Sequence, residues 1–174
     1  MSNYSLRSLL AAAVFAVAVP AGAQAPAPAP APIPDVQPFD IPYGAPITLD
    51  QARKVMAAAE AEAKKRNWKC GIAVVDTSGD VVLLVKMDGA QNAASKISEG
   101  KARTAALFRR PTKVFFDAVE SGHGYVTSLL PGLVAADGGL TIIENGKVIG
   151  AIGTSGGTGA QDAIVSKAGA DTIK

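Results

Sequence analysis

The chain has 174 residues, 17 Lys and Arg against 15 Asp and Glu, a formal charge of +2, and 48% apolar residues. This near-neutral balance, with no basic patch or stripe along the sequence, argues against a nucleic-acid binder held by phosphate contacts. Cys70 is the single cysteine, so no disulfide forms within the chain and the fold rests on its core; no His, Cys and carboxylate run has zinc spacing.

Residues 1–23 read as a secretory signal peptide. Arg7 gives a positive start, residues 9–19 form an apolar run, and Ala21-Gly22-Ala23 supplies the small-x-small cleavage pattern. The run is about half of what a membrane-spanning helix needs. No cysteine follows it, as a lipid anchor would require. Cleavage leaves a chain that begins at Gln24, and losing Arg7 takes the formal charge from +2 to +1. The expectation is a periplasmic or secreted protein with no membrane contact after cleavage. Residues 24–46 then read as a tether. Ala and Pro alternate over 25–34, where fixed φ and missing donors favour polyproline II spanning on the order of 30 Å. The folded domain occupies 47–174.

The first helix is announced by Thr48 with Gln51, a capping box. Leu49, Ala52, Val55, Met56, Ala59 and Ala63 follow at helical spacing, and Lys64, Lys65 and Arg66 suit its C-terminal dipole. Two near-continuously apolar strands, 71–76 and 81–86, flank the turn Thr77-Ser78-Gly79-Asp80. Such strands imply a sheet covered on both faces, by helices on one side and another subunit on the other. A second helix runs over 93–108 and a third over 113–120, with Thr112 as its cap. Residues 125–136, interrupted by Pro131, read as loop. Asn145-Gly146 between 140–144 and 147–152 predicts a type I′ hairpin. Glycine-rich residues 153–159 then lead into a last helix over 160–168.

Several residues stand out chemically. Gly153-Thr154-Ser155-Gly156-Gly157 matches the G-x-S-x-G elbow between a strand and a helix. However, His123, the sole histidine, precedes the serine instead of following it. The loop has a second use: converging N–H groups at a helix N-terminus, with Ser155 and Gly156 as contacts for a ligand carboxylate or phosphate. The alternative is a tight strand-to-helix crossing that needs glycine for packing. Lys101 shares a stripe with Ala94, Ile97, Thr104, Ala105 and Phe108, so it either snorkels to water or points into a site. His123, between two glycines, is a candidate ligand for a metal or haem iron, a proton shuttle, or a solvated surface residue. Arg109 and Arg110 either pair with ligand carboxylates or form a charged helix end.

These motifs together resemble the GlcG/HbpS-like family. The residues that carry the likeness are Lys101-Ala102-Arg103-Thr104-Ala105, Arg110-Pro111-Thr112, Gly138-Gly139, the run from Asn145 to Gly157, and Gln161-Asp162. The resemblance spans about 47–173 and implies an α/β (α+β), profilin-like fold, an antiparallel sheet flanked by helices. It also implies homo-oligomers, from dimers to octamers. Some members bind haem, and extracellular ones are linked to haem degradation or iron sensing. Relatives fused to corrinoid-metabolism proteins bind haem or cobalamin-type ligands, and those encoded with glycolate metabolism have no settled activity. A threonine or histidine at the iron in haem-binding members carries over to Thr112 in the Arg-Pro-Thr motif. A second iron-binding motif is not recognisable, which favours haem binding over haem degradation.

The leading expectation is an exported homo-oligomer that binds haem or another tetrapyrrole. Thr112 or His123 would ligate iron, and Arg109 or Arg110 would stand near the propionates. Two alternatives remain open: an enzyme for a small carboxylate-bearing metabolite using Lys101, Thr112 and the glycine-rich loop, and a sensory partner for a cell-surface protein. Strongly apolar hairpins and alanine-rich helices favour self-association.

Overall fold

The computed structural model describes residues 35–174; the expected signal peptide and the alternating Ala/Pro stretch lie outside them. Helix α1 (Leu49–Lys65) starts at the capping box read from the sequence. Gln51 N–H donates to Thr48 Oγ1 (3.2 Å), and Thr48 N–H donates to Gln51 Oε1 (2.9 Å). Its buried stripe is Ala52, Val55, Met56, Ala59 and Ala63. Asn67, in the left-handed region at φ 55°, turns the chain into the sheet.

Strands β1 (Gly71–Asp76), β2 (Val81–Lys86), β3 (Gly139–Glu144) and β4 (Lys147–Ser155) form one antiparallel sheet in the order β2-β1-β4-β3. Asn145 and Gly146 both take positive φ, 49° and 73°, as the type I′ turn requires. Successive side chains of a strand face opposite sides. Ile72 and Val74 of β1 therefore join the core beneath α1 and α4 (Gly159–Ala170), with Ile152 and Val165. Ala73 and Val75 face the other way, onto Ala102, Ala105 and Ala106 of α2 (Ala94–Phe108).

That second cluster corrects an expectation. The chain's own α2, not a second subunit, covers the far face of β1 and β4. It does so with small residues, and glycines lie beneath it. A Cβ on Gly153 would stand 2.2 Å from the Ser98 carbonyl oxygen, and one on Gly71 would stand 2.6 Å from the Ala94 carbonyl carbon. Helix and sheet backbones are in direct contact. Strand β2 departs from the expected two-sided cover as well. It is an edge strand, leaving Val81 45% and Leu84 36% exposed.

Helix α3 (Lys113–Glu120) follows α2 after Arg109, a left-handed residue at φ 52°. Thr112 does not cap it, because its own backbone is already helical and its hydroxyl bonds elsewhere. The stretch read as loop contains a 3-10 turn, Gly124–Ser128. Ahead of α1, Val148 N–H donates to Pro42 O (2.9 Å) and Gly44 N–H to Val148 O (2.8 Å), so this segment runs alongside the start of β4. The last helix also begins with a capping box, Thr158 with Gln161.

Candidate functional site

The middle of α2, the end of β4, the first turn of α4 and the loop before β3 meet around one ion pair. Lys101 Nζ donates to Asp162 Oδ2 at 2.8 Å and to Thr154 O at 3.0 Å. Each of the two charged side chains is only 3% exposed. The other carboxylate oxygen, Oδ1, accepts the Gly157 N–H at 3.0 Å, which ties the loop after β4 to the first turn of α4.

The backbone here is cut to fit. Gly138 has φ 114°, and a Cβ on it would lie 2.6 Å from Asp162 Cβ and 3.0 Å from Lys101 Nζ. A Cβ on Gly139 would lie 2.5 Å from the Lys101 carbonyl oxygen. Only glycine lets the chain enter β3 directly against the buried pair. A second polar chain closes the floor. Thr154 Oγ1 and Ser166 Oγ are 2.8 Å apart, and Ser166 Oγ donates to Gly138 O at 2.7 Å.

Above this floor opens a cleft of about 490 Å³, lined by Ile97, Phe116, Ala136, Asp137, Ser155 and Ala160 among others. Lys101 and Asp162 reach its base, and Lys113 stands at it from α3. A hydrogen bond to Asp117 raises the Lys113 ammonium above its ordinary range. Asp137 Oδ1 accepts the Gly138 N–H at 2.7 Å. The walls are thus part apolar and part polar, with two cations and two carboxylates. Ser155 is 8% exposed, and its hydroxyl makes no hydrogen bond among the described residues. It has no base beside it, so the elbow-like sequence does not form a hydrolase dyad. The chemistry on offer is binding of acceptor groups. Cys70 is buried, and burial pushes its thiol up, away from the reactive thiolate.

The sequence profile of the family described as "Haem degrading protein HbpS-like" matches residues 47–171. The chain belongs to the HbpS-like family. It is 44% identical over 110 residues to Protein GlcG of Escherichia coli K12, covering 63% of this chain and 81% of that protein. Streptomyces reticuli HbpS, solved as a double mutant, superposes with a TM-score of 0.70 at 26% identity, covering 84% of this chain and 99% of that one. A PduOC:haem complex shares the fold, with a TM-score of 0.69 at 24% identity over 74% of this chain and 96% of that one. The antiparallel α+β arrangement expected from the sequence is therefore the HbpS-like fold.

In this HbpS-like chain the sequence-predicted residues divide into groups. Lys101, Ser155 and Gly156 line the cleft. Lys101 does not snorkel; it is spent on Asp162. Thr112, fully buried, lies outside the cleft, and its Oγ1 accepts the Gly139 N–H at 2.9 Å. Arg109 and Arg110 turn away from the cleft, toward the segment ahead of α1. Arg109 Nη1 donates to Ile41 O at 2.9 Å and lies 3.6 Å from Asp40. Arg110 stacks its guanidinium 4.2 Å from the Phe39 ring centroid, and burial, then Arg109, lowers its proton affinity. His123 is exposed, 6.2 Å from the Tyr125 ring and outside the cleft. Sequence reasoning missed Asp162 as a site residue. Its signal was an acid in the first turn of a capped helix that follows a glycine loop.

Proposed function

We propose that the mature chain is an exported, self-associating protein that binds haem or a closely related tetrapyrrole. Membership of a family described as haem-degrading carries the haem part of this reading, and the fold shared with a haem-bound PduOC supports it; export rests on the sequence of residues 1–23. The residues present fit such a group in two places. The cleft offers an apolar wall and donors suited to a tetrapyrrole's edge and its carboxylates. Beyond it, His123 stands exposed with large apolar neighbours in the following turn, Tyr125 (66% exposed) and Leu129 (55%). Helix α3 links the two places: Phe116 lines the cleft, and His123 N–H donates to Ala118 O near the helix end.

Between the two iron donors expected from the sequence, geometry favours His123. Its imidazole is accessible, whereas the Thr112 hydroxyl is sealed inside and holds the β3 backbone. When bound, haem would supply a redox-active iron that His123 ligates through a ring nitrogen. Exposed apolar side chains on β2 and around the 3-10 turn support self-association.

Spectrophotometric haem titration tests the assignment. The wild-type chain is expected to shift the Soret band. His123→Ala weakens binding by at least about tenfold and changes the spectrum. Thr112→Val keeps the wild-type spectrum but loses about 1–3 kcal/mol of stability, because the buried Gly139 N–H is left unpaired. If Thr112→Val abolishes the haem spectrum while His123→Ala preserves it, the assignment is wrong.

A further inference from the structure

The cleft above Lys101 presents donors that the fold itself leaves unused. The Lys101 ammonium has three N–H groups, and two are satisfied, by Asp162 and Thr154 O. Ser155 is more than nine-tenths buried, lines the cleft, and bonds to nothing among the described residues. No sealed side-chain polar atom is left unpaired among the described residues, so the Ser155 hydroxyl keeps access to solvent and is free to donate to a ligand in the cleft. Gly159 and Ala160 also line the cleft; they are the first residues of the 12-residue helix α4, whose opening N–H groups lack intrahelical acceptors. The helix dipole adds positive potential at that point.

We propose that this cleft is a carboxylate-binding site. One ligand carboxylate would accept from Ser155 Oγ, from the third Lys101 N–H and from the opening amides of α4. The apolar remainder of the ligand would lie against Ile97 and Phe116. Asp137 and Asp162 limit the charge the site accepts: a second carboxylate would meet theirs, so monocarboxylates bind better than dicarboxylates. The carboxylate belongs either to a free small acid or to a propionate of haem. The site stands apart from the iron donor and does not depend on the haem reading.

Calorimetric titration with acetate and succinate, beside titration with mesohaem and its dimethyl ester, separates the sources. Ser155→Ala is the informative variant, since it removes a hydroxyl with no internal partner and leaves the melting temperature unchanged. Acetate bound in preference to succinate, and weakened about tenfold by Ser155→Ala, identifies a free-acid site. Mesohaem bound more tightly than its ester, with the gap closed by Ser155→Ala, identifies a haem propionate instead. A chain that binds acetate but neither porphyrin retains this site and loses the haem reading. If Ser155→Ala alters neither acetate binding nor the mesohaem-to-ester ratio, the proposal is overturned.

Discussion

Asp162→Ala is expected to lower the unfolding free energy by about 3–5 kcal/mol, measured by urea denaturation. The carboxylate is 3% exposed and makes two contacts: the Lys101 ammonium at 2.8 Å and the Gly157 N–H at 3.0 Å. Removing it leaves a buried cation with the Thr154 carbonyl as its remaining acceptor, and it frees the loop that leads into α4. The cost arises from the stranded charge, not from the value of the pair itself. The double variant Lys101→Met with Asp162→Leu should therefore recover most of the loss, because an apolar pair of similar size strands nothing. A small effect, like that of removing the exposed Lys167–Asp171 pair, would mean that water entering from the cleft replaces the lost carboxylate and that the pair is not held in a desolvated floor.

Gly153→Ala should be at least as damaging, with a loss above about 3 kcal/mol or no soluble folded protein. The added methyl would stand 2.2 Å from Ser98 O and 2.5 Å from Ala102 N, both backbone atoms of α2 that no rotamer change can move aside. The helix must lift from the sheet, and Lys101 lifts with it. Gly124→Ala is the control: a Cβ there meets nothing within 4 Å, and φ is not in the left-handed region. Circular dichroism melts of the two variants test the seating of α2. A Gly153→Ala melting temperature within a degree or so of wild type would contradict it.

Local signals in the sequence carried the elements, and non-local ones did not carry the site. Thr48 with Gln51 and Asn145 with Gly146 act within a few residues, so the first helix and the second hairpin are legible directly. Lys101 was visibly out of place on an alanine stripe. Its partner lies 61 residues away, and only the packing of α2 and α4 at the end of β4 brings them together. Thr112 was read as a helix cap from its place before α3, and as an iron donor from the family resemblance. Its hydroxyl is instead claimed by Gly139, 27 residues on, where β3 passes beneath it. Arg109 and Arg110 looked like ligand clamps, yet they secure the segment around Phe39 and Ile41. The close-approach glycines are recognisable only once it is known which strands α2 crosses. Nothing in the spacing of Gly71, Gly139 and Gly153 states that.

Native mass spectrometry of protein recovered from its own compartment tests the central reading most directly, because one spectrum reports N-terminus, assembly and retained ligand together. The account predicts a multimer of chains that begin at Gln24, carrying the added mass of haem or a related tetrapyrrole. A monomer that retains Met1 and carries no ligand would contradict it.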